Sequence, residues 1–199
     1  MASYKETFSA YYDALTEYVD RAVIADRCEE LLAQYHPKRE LALDLCCGTG
    51  TLATELARRG FEVIGVDASP EMLMQAAEKN MALERPVLYL CQPLERLDLY
   101  GTVDLAVCTL DSLNHLPGKK ALQKALHRLQ FFVEPGGLFL LHFISALKEH
   151  PGAPWIKKYI FPGGMVPSLK EVLADVAEDN FHTLDVENLR PHYNRTLLC

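Results

Sequence analysis

Two carboxylates and two glycines carry the first chemical signal in this sequence. In Leu43-Asp44-Leu45-Cys46-Cys47-Gly48-Thr49-Gly50 the glycines remove side chains where a ligand could approach the backbone. A helix starting near Thr51 would add free N–H groups suited to an anionic group. Asp67 follows about twenty residues on, ending Val63-Ile64-Gly65-Val66-Asp67, where an acidic side chain can accept from both hydroxyls of a ribose. A glycine pair alone also serves any tight turn; with a strand before it, a helix after it and Asp67 beyond, a nucleoside-type ligand is favoured. A dinucleotide fingerprint fits less well, because Ala53 stands at its last glycine position and Cys46 at its first. Cys46 and Cys47 read as small apolar fillers. Farther on, Asp111, Ser112, Asn114 and His115 follow a fourth apolar run, and His142 lies in a fifth. The polar trio Asp111, Ser112 and Asn114 could hold an acceptor or cap a helix, and either histidine could take a proton or be structural.

These residues need a scaffold that gathers strand ends. Leu41–Leu45, Glu62–Val66, Val87–Leu90, Val103–Cys108 and Leu138–Phe143 read as short buried strands, alternating with helical patterns at Thr51–Arg59, Pro70–Met81 and Lys119–Phe132. That rhythm predicts an α/β, doubly wound, Rossmann-like fold with a mostly parallel sheet covered on both faces. The ligand, and the deepest pocket, are expected at the carboxyl ends of the first two strands. Apolar residues at helical spacing over 8–35 predict one or two helices before the sheet, and Pro135-Gly136-Gly137 reads as a turn. Proline and glycine cluster over 150–166, predicting an ordered loop that covers an acceptor pocket with Trp155, Tyr159 and Phe161 facing inward. Ser168 and Glu171 form a capping-box pattern, and a sixth strand is expected near His182–Val186, with no source for a closing last strand. The whole is expected to be one domain: a helical lid over 1–38, a cofactor core over 40–143 and a substrate-side segment over 144–199.

Composition narrows the function. With 20 basic against 27 acidic residues the net charge is −7, which gives no long-range attraction to nucleic acid or anionic lipid. The 6 cysteines form no CxxC pair, so neither a zinc site nor a disulfide framework is indicated, and a reducing cytoplasm fits. No apolar run approaches the roughly 20 residues that span a bilayer, so stable membrane insertion is not expected.

LDLCCGTG, GVDASPEML and VDLAVCTLDSLNHL resemble the successive motifs of class I S-adenosylmethionine-dependent methyltransferases over residues 40–143. By that resemblance the cofactor is S-adenosylmethionine. Asp44, Cys46, Cys47, Gly48, Thr49 and Gly50 would hold its methionyl part, Asp67 its ribose, and Ala68 and Met72 its adenine, with Thr109 beside it. The family usually has an Asp followed by an apolar residue after the third strand; here Gln92, Pro93 and Leu94 stand there, and Gln92 is the candidate substitute. Tyr12 and Asp13 resemble the YYD of lid helices in small-molecule methyltransferases, although a packing aromatic stripe explains them as well.

A second resemblance covers residues 140–198. LLHFIS, KKYIFPGGMVPSLKEV and DVENLRPHYNRTL are similar to cyclopropane-fatty-acyl-phospholipid synthases, whose bicarbonate contacts would fall on His142, Ile144 and Tyr193. Two further contacts do not match: Asn114 replaces a Glu, and an N-terminal Cys has no counterpart. Transfer of an intact methyl group to a small soluble acceptor, without a metal, is therefore expected rather than cyclopropane formation. Alternatives are a lipid-modifying enzyme of the synthase type, or a non-catalytic binder or recombined scaffold that keeps the fold.

Overall fold

The computed structural model describes residues 6–35, 40–149 and 154–189. Short apolar segments form five strands, β1 (Leu41–Leu45), β2 (Glu62–Asp67), β3 (Leu88–Cys91), β4 (Val103–Cys108) and β5 (Val133–Leu141). Their order is β3-β2-β1-β4-β5, and every pairing is parallel. The register sets Leu45 beside both Val66 and Cys108. Cys46, Asp67 and Thr109 therefore leave the sheet along one edge, where the chain reverses into helices.

All six residues of β4 are buried, which is possible only with helices on both faces. On one side α2 (Arg21–Tyr35) and α3 (Thr51–Arg58) enclose Cys28, Leu32, Leu52, Leu56 and Phe61 against β1. On the other, α5 (Lys119–Leu129) and α7 (Leu169–Glu178) bury Leu122, Leu126, Val172 and Val176. Each such side chain withdrawn from water is worth roughly 1.5–3 kcal/mol. Asp104, buried in β4, accepts from the Glu40 and Leu41 amides at 3.0 and 2.8 Å and so fixes the start of β1. The helix α4 (Pro70–Asn80) begins where Ser69 accepts from the Met72 amide and proline takes the first helical position. The Ser168–Glu171 capping box starts α7.

The N-terminal segment breaks into α1 (Glu6–Leu15) and α2. Arg21 holds the break: its guanidinium donates to the Thr16 and Val19 carbonyls at 2.6 and 2.7 Å and to Thr16 Oγ1 at 2.9 Å. Several expectations are corrected. Pro135-Gly136-Gly137 is not a turn but an irregularity inside β5, where the pairing with β4 shifts register. No strand forms at His182–Val186, where Leu184 and Val186 stay exposed and gain no burial that would offset ordering the chain. The 150–166 segment contains a helix, α6 (Pro154–Tyr159). Trp155 and Tyr159 lie one helical turn apart, 61% and 60% exposed, and only Phe161 turns inward.

Candidate active site

The turn between β1 and α3 is built from left-handed backbone at Cys46 (φ 55°), Gly48 (φ 55°) and Gly50 (φ 72°). Gly50 is required twice over, since a Cβ there would run into the Tyr89 hydroxyl and stand 2.9 Å from the Ala76 methyl. At Gly48 a Cβ would meet nothing closer than the Tyr12 ring at 3.8 Å, so the face above the turn is open to a ligand. Asp67 ties the turn down: one carboxylate oxygen accepts from the Gly48 amide at 2.9 Å, the other from the Ser69 amide at 2.8 Å. Burial raises its pKa against these bonds.

Asp44 is the least satisfied group in this region. It is 2% exposed, and its Oδ2 has no hydrogen-bond partner. Burial pushes its carboxyl up to about 7; Asp67 adds to the rise, while a bond to the Ala53 amide and the Arg21 charge oppose it. The neighbouring thiols are also held protonated: Cys46 by its contact with Cys108 and by burial, Cys47 by burial foremost. Neither is a nucleophile in this state.

α1 lies over the turn. Asp13 accepts from Thr49 Oγ1 at 2.5 Å and Thr51 Oγ1 at 3.1 Å, and pairs with Lys79 of α4. Lys79 also donates to the Thr49 carbonyl and to Thr51 Oγ1, both at 2.8 Å. Tyr12, Arg21, Asp44, Cys46, Thr49, Thr109 and Ser112 are among the walls of the enclosed space, only about 30 Å³. Sequence reasoning missed Arg21 and Lys79, which sit on helices outside every motif. A second hollow lies away from the strand ends, an open groove of about 490 Å³ between α5 and α7, lined by polar and charged residues such as Lys120, Lys124, Asp175 and Glu178.

At the end of β4 the chain passes through two more left-handed residues, Leu110 (φ 53°) and Asp111 (φ 60°). The Leu110 amide donates to Nδ1 of His142 at 3.2 Å. Asp111 makes no side-chain cap; its Oδ1 is buried without a partner, and burial raises its pKa while His142 lowers it. Ser112 instead donates to the Thr109 carbonyl at 2.7 Å. Asn114 is fully buried and bound to the chain itself. Its amide donates to the Ile144 and Met165 carbonyls at 2.8 and 3.0 Å and accepts from the Ile144 amide at 2.9 Å, so it staples three segments rather than facing an acceptor. His115 is at the surface with its ring edge-on to Phe161.

On the adenine side Met72 is buried and Ala68 exposed. Gln92 closes a ring with the Asp98 backbone at 2.8 and 3.2 Å, which leaves one amide proton for a ligand. Pro93 precedes a 3-10 turn at Leu94–Arg96, and Leu94 belongs to the core. Tyr193 lies outside the described residues.

The family model for mycolic acid cyclopropane synthetase matches residues 6–199. The chain belongs to this family. Cyclopropane-fatty-acyl-phospholipid synthase of Escherichia coli is 32% identical over 86% of this chain and 43% of its own length. A Bacillus subtilis protein with a provisional methyltransferase name is 32% identical over 71% of this chain and 56% of its own length. An S-adenosylmethionine-dependent methyltransferase structure from Clostridium acetobutylicum superposes with a TM-score of 0.64 at 29% identity, covering 71% of this chain and 58% of that one. The chain thus spans about half the length of the curated relatives it matches.

A cyclopropane synthetase family site built for S-adenosylmethionine must receive an ammonium, a carboxylate, a ribose and an adenine, and the residues present fit these. The orphaned Asp44 oxygen suits the ammonium, the Arg21 guanidinium the carboxylate, and the open face over Gly48 the chain of the ligand. Asp67 keeps lone pairs beyond those on Gly48 and Ser69 for ribose hydroxyls.

Proposed function

We propose that this chain binds S-adenosylmethionine over the Cys46–Gly50 turn and transfers its methyl group intact to a small acceptor beside Asp111 and His142. The observation that carries the reading is the buried Asp44 Oδ2 without a partner, at the head of a turn whose face is open at Gly48. A buried acceptor left unsatisfied costs about 1–3 kcal/mol, which an incoming ammonium repays. When bound, the cofactor supplies an already electrophilic methyl carbon. What remains for the chain is to position the partners and exclude water.

Asp67 and the Gly48 and Ser69 amides it binds hold the ribose side, and α1 with Tyr12 closes the front. On the acceptor side His142 spends Nδ1 on the Leu110 amide, so its neutral ring carries the proton at Nε2 and acts as a donor. The proton of an amine or hydroxyl acceptor then goes to Asp111 Oδ1, whose raised pKa suits it to that task. Among the described residues no metal-binding cluster is found, and no helix is long and apolar enough to cross a membrane. Free thiols at Cys28, Cys46, Cys47, Cys91 and Cys108 and a net charge of −7 support a cytoplasmic setting and an acceptor that is neither nucleic acid nor bilayer.

Calorimetric titration with S-adenosylmethionine and its demethylated product should give similar affinities; no heat with either refutes the reading. A second reading, cyclopropane formation on unsaturated phospholipid, is favoured by the match over 86% of the chain to the Escherichia coli synthase. Against it, both N–H groups of the Asn114 amide are committed to the Ile144 and Met165 carbonyls, which withdraws them from the bicarbonate that the resemblance to the synthases implies. Incubation with unsaturated phospholipid, labelled cofactor and bicarbonate decides: ring-containing acyl chains above background overturn the first reading.

A further inference from the structure

The space enclosed at the site is about 30 Å³, whereas pockets for ligands of cofactor size measure roughly 300–1,000 Å³. Of the walls of this space, α1 is the one held least by apolar packing. β1, β4 and α3 are locked into the two core clusters, while α1 belongs to neither. Its large apolar side chains point outward, Tyr11 63% and Leu15 57% exposed. Asp13 binds α1 to the turn through polar contacts, bonded to Thr49, Thr51 and Lys79. Lys79 closes the ring by donating to the Thr49 carbonyl and Thr51 Oγ1. Burial alone would raise the Asp13 pKa, but these bonds hold it below the usual carboxylate value, so the group is ionised at neutral pH. The ion pair is partly open to water, with Asp13 47% and Lys79 27% exposed, and salt therefore screens it.

We propose that Asp13 and Lys79 form a salt-sensitive latch that holds α1 closed over the cofactor turn, and that its release admits the cofactor. The gating half rests on the reading of this turn as the S-adenosylmethionine site; the latch itself does not. Both residues are positioning residues: neither touches the reacting atoms, and both set where Tyr12 and the Thr49 carbonyl stand.

The test has two arms. In the ligand-free protein, hydrogen exchange of the α1 amides is measured for wild type, Asp13→Asn and Lys79→Met at low salt and at 0.5 M salt. Exchange should rise about two- to fivefold in either variant and in wild-type protein at high salt, with Lys79→Arg restoring protection. Unchanged α1 exchange in both variants overturns the latch. In the second arm, the association rate of S-adenosylhomocysteine is followed by stopped flow. It should rise by a similar factor in Asp13→Asn and lose most of its salt dependence. Faster α1 exchange with an unchanged association rate shows that the cofactor does not enter past α1 and overturns the gate. If wild-type protein binds no S-adenosylhomocysteine, the functional reading and the gate fall together, and the first arm still decides the latch.

Discussion

Replacing Asp44 with Asn should change the pH dependence of stability in the ligand-free protein. In the folded chain burial holds this carboxyl at about 7, against 3.8 for an exposed one. The folded pKa is the higher, so Asp44 contributes stability that is fully present below pH 3.8 and lost as pH rises through about 7. The gap, at about 1.4 kcal/mol per pH unit, amounts to roughly 4 kcal/mol, of which some 2–3 kcal/mol fall between pH 5 and 8. Asparagine keeps the shape and cannot ionise. Its melting temperature relative to wild type should therefore rise by roughly 5–10 °C over that interval, at about 2–4 °C per kcal/mol for a domain of this size. Taking the difference between the two proteins cancels the titration of the groups that both retain and that do not interact with Asp44. S-adenosylhomocysteine should act in the opposite sense on wild type. Its ammonium beside Oδ2 favours the carboxylate, so affinity climbs with pH and levels off above about 7, a dependence the variant lacks. Parallel melting curves for the two proteins from pH 5 to 8 would refute the reasoning, because Asp44 would then titrate elsewhere.

Asp67→Ala removes the ribose acceptor and frees the Gly48 and Ser69 amides, and should weaken S-adenosylhomocysteine binding by about 2–4 kcal/mol in a calorimetric titration. Gly50→Ala places a methyl against Tyr89 at a left-handed φ and should cost at least about 2 kcal/mol in urea unfolding, only partly recovered by adding Tyr89→Leu, since the backbone strain persists. Asn114→Ala unties Ile144 and Met165 and should raise hydrogen exchange over 161–166 together with a loss of about 2–4 kcal/mol; an unchanged exchange pattern would mean that the staple does not hold that segment. Asp111→Asn suits the left-handed backbone and removes a partly buried charge, so at pH 8 it should keep or raise the melting temperature while abolishing methyl transfer to protic acceptors.

The sheet was readable because its signals are local. Each strand is a short apolar run closed by Gly, Pro or a capping residue, and the alternation with helices leaves few topologies. The Cys46–Gly50 turn and Asp67 were readable for the same reason, since backbone needs and a fixed offset suffice to mark them. What failed depends on contacts far apart in the chain. Gly136-Gly137 looks like a turn in isolation, yet beside β4 it is absorbed as a register shift. Leu184 and Val186 alternate like a strand but stay exposed. Trp155 and Tyr159 were expected inward as aromatics usually are, and a one-turn helix places them together outside. Asp13 and Lys79 stand on separate helices, and no periodicity indicates that they meet.

The left-handed residues other than glycine show where the fold concentrates strain. Among the described residues there are four, and three of them, Cys46, Leu110 and Asp111, stand just beyond the carboxyl ends of β1 and β4. Each costs on the order of 1 kcal/mol, so chance placement along the chain would make such a cluster improbable. β1 and β4 are the adjacent inner strands of the sheet, each paired on both sides as β2 is too, with β4 buried along its whole length, and they can bear this cost without fraying. Two of the buried carboxylate oxygens without a hydrogen-bond partner, those of Asp44 in β1 and Asp111 just past β4, stand at the same edge, while Asp175 Oδ2 lies away from it in α7. Backbone strain, orphaned acceptors and raised pKa values thus meet at one sheet edge, under α1, which lies outside both core clusters. A site preorganised for a charged ligand has these properties before the ligand arrives: the rigid strands carry the cost, and the polar latch on α1 leaves the way in adjustable.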